Sequence, residues 1–224
     1  LDIRVVDEDT KIKFNDLSLG FFPVFHSIPD SMGVVVGTPF GNVLVSGDMK
    51  LEHENNGPTP KEEKKWGALG RENNLLLIAD STSAELPGFS ISEKEVQKNI
   101  EEIIKATKGR LIIGTFASQF DRMIKIVEIC ERHNKKIVVE GRSMKNNVEI
   151  AKLANLLKPK PDTFIRAEDI DNYPPNKIVI LATGAQGEEF AALMRMATNK
   201  HKAIKLNAQD TVMFSSSVIP GNEV

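Results

Sequence analysis

Residues 111–139 read LIIGTFASQFDRMIKIVEICERHNKKIVV. A short apolar run ends at Gly114-Thr115, Met123, Ile124, Val127 and Cys130 then recur at helical spacing, and a second apolar run opens at Ile137. That stripe predicts an amphipathic helix over 118–133 whose apolar side chains are core, between strands at 111–114 and 137–139. Cys130, on the stripe, is expected to be an inert packed thiol. The alternation extends in both directions. A strand at 75–79 and a helix at 92–107 come before it, the latter with Ser90 or Ser92 as cap ahead of Glu93-Lys94-Glu95. A helix at 144–157, strands at 163–165 and 178–182, a helix at 188–198 and strands near 203–206 and 212–214 come after it. Strand and helix in strict turn predict an α/β fold with a mainly parallel, doubly wound sheet.

The organisation changes near residue 70. Upstream, β-rich runs at 3–6, 17–25, 33–37 and 43–46 are separated by turn residues and predict an antiparallel sheet. Residues 50–74 are polar, with Asn56-Gly57-Pro58 and a charged run from Lys61 to Lys65, and read as a surface loop with one helical turn. At 224 residues and 41% hydrophobic content the chain can bury a core of one to two domains. A net charge of -2 excludes a global basic field, so any nucleic-acid contact has to be local. The single cysteine excludes an internal disulfide and fits a reducing compartment. With no apolar run of about 18 residues and no signal-like start, the expectation is a cytoplasmic protein away from membranes. The first residue is Leu1 rather than methionine, which suggests a piece of something longer.

Chemistry-bearing residues cluster at strand ends. His26 and Asp48 each close an apolar strand, and the turn Thr38-Pro39-Phe40-Gly41-Asn42 is expected to make those strands antiparallel neighbours, with both side chains aimed at one metal position. A hydrolytic zinc centre needs at least three protein ligands. The four histidines, His26, His53, His133 and His201, show no ligand spacing among themselves, so the site is incomplete as written. Three loops follow apolar strands: Asp80-Ser81-Thr82-Ser83, Gly114-Thr115-Phe116-Ala117-Ser118 and Ala182-Thr183-Gly184-Ala185-Gln186-Gly187-Glu188. Each fits a ligand crevice at the carboxyl end of a parallel strand, and the first also reads simply as a helix cap or Asx turn. Amides in the second could hold a phosphate. Phe116 or Phe120 could stack on a base or simply be core. The absence of G-x-G-x-x-G after a first strand argues against NAD. Arg195, Lys200, His201, Lys202 and Lys205 form a run without acids, which suits a polyanion or a solvated helix end.

The order of these motifs resembles one family. Phe25-His26-Ser27-Ile28-Pro29-Asp30-Ser31, Gly47-Asp48-Met49-Lys50, Asp80-Ser81-Thr82, Thr115-Phe116-Ala117-Ser118, Gly141-Arg142-Ser143-Met144, Thr183 to Glu188 and Ser215 to Glu223 together are similar to ribonuclease J, of the β-CASP branch of the metallo-β-lactamase fold. The resemblance implies a partial metallo-β-lactamase αββα domain over 1–70, followed by an inserted β-CASP domain over 71–224. It implies His26 as a zinc ligand, Asp48 as the carboxylate shared by two metals and Asp80 as a further catalytic acid. Two zinc ions, or manganese or magnesium, would serve the intact site. Thr115, Phe116, Ala117, Ser118 and Gln119 would hold substrate, although Gln119-Phe120-Asp121-Arg122 stands where relatives have an amide, an apolar residue and His-Arg. The expected function is a 5′-to-3′ exoribonuclease with endonuclease activity in rRNA processing and mRNA decay. Its RNA would carry a 5′-monophosphate, and the intact protein would form a homo-oligomer or a complex with a paralogue. The H-x-H-x-D-H motif and the closing histidine motifs are absent from these residues, so the piece is expected to be inactive alone. The alternatives are a related β-CASP endonuclease and an RNA-binding module without catalysis.

Overall fold

The strands of the second half are apolar along their whole length because their sheet is covered on both faces. In the computed structural model, which describes residues 3–185, 187–188 and 191–216, they are β8 (Leu111–Thr115), β9 (Lys136–Glu140), β10 (Ile178–Ala182) and β11 (Thr211–Ser215). They form a four-stranded parallel sheet in the order β11-β8-β10-β9. Helices α2 (Glu93–Ala106), α3 (Phe120–Arg132) and α4 (Arg142–Leu153) supply one apolar layer, and the short α5 (Ala192–Ala197) another. The period of two decides which residue meets which layer. Leu111, Ile113, Ile137, Val179 and Leu181 pack with Ile104, Met123, Ile126, Met144 and Val148. Ile112, Val138, Ile178, Ile180 and Ala182 pack with Ala192, Leu193, Met196, Ile170 and Ile204. Complete burial of each valine, leucine, isoleucine or methionine among them contributes about 1.5–3 kcal/mol.

The amino ends of β8 and β11 are joined by a bidentate ion pair. Arg110 Nε and Nη2 donate to the two Asp210 carboxylate oxygens at 2.8 and 2.6 Å, and Thr211 N–H donates to the Arg110 carbonyl. Three expectations are revised in this half. Residues 203–206 form no strand, because the His201 ring captures the backbone N–H groups of Ala203 and Ile204 at 3.3 and 3.0 Å. Residues 163–165 contribute a single parallel bridge, Ile137 to Phe164. The described part of the helix expected over 188–198 is Ala192–Ala197.

The chain divides into two compact units, Leu1–Glu93 and Lys94–Val224. The first is built on a five-stranded sheet, in the order β1 (Ile12–Phe14), β2 (Leu17–Pro23), β3 (Met32–Thr38), β4 (Gly41–Val45) and β7 (Asn74–Ile78). β1 to β4 are an antiparallel meander, and the β3–β4 turn is closed by Thr38 Oγ1, which donates to the Gly41 carbonyl at 2.7 Å. β7 runs parallel to β4. The sequence reading gave that strand to the α/β half, but its ladder bonds join it to the first sheet, and the units part at residue 93 rather than near 70. Residues 3–6 form no strand. Gly33 is required opposite Phe22, since a Cβ there would lie 2.3 Å from the ring.

Between β4 and β7, β5 (His53–Glu54) and β6 (Gly57–Pro58) make a small hairpin ahead of α1 (Pro60–Gly70). The stretch expected to be a loop is therefore an 11-residue helix. Thr59 Oγ1 accepts from Glu62 N–H, Pro60 takes a first-turn position, and Glu62 and Glu63 suit the positive helix end. Glu62 is buried, accepts from Trp66 Nε1 at 2.9 Å and pairs with Lys65, while the Trp66 ring meets Phe22 edge-on at 5.6 Å.

Candidate functional site

His26 and Asp48 do come together, by a route other than the expected one. Their strands are β2 and β4, which are separated by β3, so the hairpin turn does not make them neighbours. Past the sheet, Lys50 N–H donates to the Phe25 carbonyl at 2.7 Å in an isolated antiparallel bridge. That bridge brings the segment after β2 beside the segment after β4. His26 Nε2 then lies 3.9 Å from Asp48 Oδ2, with the imidazole largely covered and the carboxylate 87% exposed.

Asp80, after β7, joins the same end of the sheet. Its Oδ1 accepts from Thr82 N–H at 2.9 Å and Thr82 Oγ1 at 2.7 Å, and its Oδ2 accepts from Met49 N–H at 3.1 Å. Those bonds, the Thr82 N–H first and the charge of His26 last, hold its carboxyl below the usual carboxylate range. The buried Ser46 completes the arrangement. Its Oγ accepts from Asp80 N–H at 3.0 Å and donates to the Gly47 carbonyl at 2.7 Å. Sequence reasoning passed over Ser46, although a hydroxyl between an apolar strand and Gly47-Asp48 is a visible signal.

The four histidines differ in what holds them. His133 Nε2 meets Glu101 at 2.9 Å, His201 Nδ1 accepts two backbone N–H groups, and the His53 ring packs on Phe89 at 5.0 Å. His26 has a buried Nδ1 with no hydrogen-bond partner among the described residues and an Nε2 facing a carboxylate. Imidazole nitrogen and carboxylate oxygen are donors suited to zinc or manganese. Among the described residues, however, no group of three histidine, cysteine or acidic side chains is placed to hold a metal ion.

In the second unit the carboxyl ends of the parallel strands collect the other motifs. Register puts Ala182 beside both Gly114 and Glu140, and Ser215 beside Thr115. The carboxyl ends of β8, β9, β10 and β11, with the turns after Thr115, Glu140 and Ala182, therefore lie at one end of the sheet. β8 leaves towards β9 through α3 and β10 leaves towards β11 through α5, in opposite directions across the sheet, so the carboxyl ends of β8 and β10 mark the switch point at which open α/β sheets bind ligands. Gly141, at φ +102, lets the backbone approach Thr183, whose Oγ1 would lie 2.1 Å from a Cβ at that position.

The residues of the 115–119 turn have unequal freedom. Thr115 is buried and its Oγ1 donates to the Ser215 carbonyl at 3.0 Å, an oxygen that also accepts from Arg122 Nη1 at 3.0 Å. The Ala117 carbonyl accepts from Asn147 Nδ2 at 2.7 Å, a positioning contact that sequence reasoning missed. Phe116 and Gln119 are half-buried and Ser118 is exposed. Of the basic run, Arg195, Lys200, Lys202 and Lys205 are exposed, whereas His201 is buried 3.4 Å from Glu140. Gln186 and residues 217–223 of the quoted motifs lie outside the described residues.

Residues 108–224 match the family model described as ribonuclease J, beta-CASP domain. A ribonuclease J of Mycoplasma genitalium is 39% identical over 220 residues, covering 98% of this chain and 38% of that protein. A ribonuclease J 1 of Streptococcus pyogenes is 38% identical, covering 97% of this chain and 39% of its own length. A ribonuclease J of Thermus thermophilus is 38% identical, covering 99% and 39%. The chain thus spans about two fifths of the length of the curated relatives it matches. A crystal structure of a protein of unknown function from Enterococcus faecalis shares the fold with a TM-score of 0.64 at 14% identity, over 97% of this chain and 56% of that one.

Proposed function

Because this chain belongs to the ribonuclease J family through its β-CASP domain, we propose that the whole protein is a metal-dependent ribonuclease that hydrolyses RNA phosphodiesters, from the 5′ end and internally. The observation that carries this reading is the juxtaposition of His26 and Asp48 at 3.9 Å, beside an Asp80 whose carboxylate is held by backbone and hydroxyl donors. His26 and Asp48 would be metal ligands. The unpartnered Nδ1 of His26 supports a role other than packing for that ring. Zinc, once bound, would supply Lewis acidity toward water and a phosphodiester oxygen. Two donors fall short of the three such a centre needs, so the reading assigns the remaining ligands to parts of the relatives' length that this chain does not span.

Asp80 would act by position. Its carboxylate holds the Met49 amide, next in sequence to Asp48, and its own amide is held by Ser46, so the Asp48 backbone is fixed from both sides. Thr115, Phe116, Ala117, Ser118 and Gln119 would line the RNA site at the carboxyl edge of the parallel sheet. There the exposed Ser118 and the half-buried Phe116 and Gln119 are available to a nucleotide, while the bonded Thr115 keeps the turn in shape. A 5′-monophosphate end, a cytoplasmic location, action on rRNA and mRNA, and an assembly of like chains complete the proposal. No described helix is long and apolar enough to cross a membrane.

The test compares 5′-monophosphate and 5′-triphosphate RNA as substrates of a full-length form, with zinc or manganese supplied. Directional degradation favouring the monophosphate, abolished by Asp48→Asn, is the expected result. A single internal cut would favour an endonuclease, and binding without cleavage would favour an RNA-binding module.

A further inference from the structure

The segment from Arg195 to Lys205 carries Arg195, Lys200, Lys202 and Lys205, all exposed, in a chain of net charge -2. None of the four has a side-chain ion pair among the described residues, and no acid occurs between Arg195 and Lys205. The nearest acid along the chain after them, Asp210, is already bound on both oxygens by Arg110.

The segment is also fixed in place. Lys200 and His201 N–H both donate to the Arg195 carbonyl, at 2.7 and 2.9 Å, folding the chain back over the end of α5. The buried His201 ring takes the Ala203 and Ile204 amides, Ile204 is fully buried, and Arg110 Nη2 donates to the Lys205 carbonyl at 2.7 Å. A helix end needs one or two cations to complement its dipole. Lys202 lines a cavity together with Glu168 and Asp171, which offset part of its charge; four exposed cations without an ion pair among the described residues, on a tethered backbone, still exceed what a helix end needs, and a polyanion would neutralise the excess.

We propose that Arg195, Lys200, Lys202 and Lys205, on the second unit, form a phosphate-contacting surface for single-stranded RNA. The proposal rests on the reading of the whole protein as a ribonuclease. Because the cations meet backbone phosphates, the contact is independent of sequence and of a 5′-phosphate, and it holds a strand rather than an end.

The test measures binding of a 5′-hydroxyl oligouridine to this chain by fluorescence anisotropy across a salt series. It uses the wild type, a variant with all four cations changed to Gln, and a control carrying Lys98→Gln, Lys105→Gln, Lys108→Gln and Lys158→Gln, four other exposed lysines. The expected result is a loss of about tenfold or more at low salt in the patch variant, with its log–log salt slope flattened by roughly 0.7 per lost contact, and a much smaller change in the control. Equal weakening of patch variant and control would overturn the proposal, as would unchanged binding by the patch variant, and the ribonuclease reading would survive both. Tighter binding to vesicles containing phosphatidylglycerol than to RNA would overturn it in favour of a membrane surface. Absence of RNA binding by the wild type would also overturn it, while cleavage by the full-length form decides the parent reading independently.

Discussion

Two N–H groups and a hydroxyl converge on the Asp80 carboxylate, and all of them favour its charged form. Its pKa in the folded protein is therefore depressed, so its contribution to stability is complete above the ordinary carboxylate value of about 4 and is lost as pH falls through the lower folded value. Urea unfolding of wild type and Asp80→Asn between neutral pH and about pH 3 checks this. The wild type is expected to lose its advantage over the variant across the acid limb, and a constant difference at all pH values would refute the assignment. Cys130 is the opposite case. Burial pushes its thiol up to about 12, so almost no thiolate exists at neutral pH and no reagent reaches it. A disulfide reagent should label it only after denaturant is added; rapid labelling of the native chain would contradict the packing.

Edge strand β7 presents Leu75, Leu76, Leu77 and Ile78, each more than half exposed, beside a free row of backbone groups on the side away from β4. Edges of that composition associate unless a charge or a covering segment prevents it. Light scattering should show the isolated chain forming larger species as concentration rises, and Leu77→Lys should shift it towards monomer; equal masses for both would place the association elsewhere. The same strand marks what local sequence can reveal. The parallel strands and α2 to α4 were legible because burial on two faces demands unbroken apolar runs, and burial on one demands a 3.6-residue stripe. The partner of β7 was not, because an apolar run carries no mark of which sheet it joins. Helix α1 was misread although Thr59-Pro60 and Glu62-Glu63 spell a capped start, because it buries Glu62 and sets Trp66 against Phe22 without presenting an apolar stripe. His26 and Asp48 were both readable as candidate donors, but the bridge between Phe25 and Lys50 that joins them is made by backbone groups, which every residue possesses.

At the scale of the molecule, the two units differ in how much they bury. The second has fully covered side chains on both faces of its sheet, whereas in the first the buried hydrophobic side chains among the described residues are Phe22, Val24 and Leu44. Local opening follows covered apolar contact, so the units should not share one stability. The expected hydrogen-exchange pattern has β8, β9 and β10 slowest, and β1 and β7 among the fastest strands. Uniform protection across both units would show that they unfold together and would refute the inference. The consequence for function concerns where the proposed metal donors, His26 and Asp48, sit. His26, Asp48 and Asp80 belong to the thinly buried unit, and a ligand that binds only the folded state adds stability there in proportion to its occupancy. Zinc added to this chain should therefore slow exchange around His26 and through 46–50 while leaving β8 to β10 unchanged. With two donors the effect should require zinc far above the concentrations that saturate a complete centre. Protection at stoichiometric zinc would mean that further ligands within these 224 residues close the site, and no protection at any concentration would remove His26 and Asp48 from the metal reading.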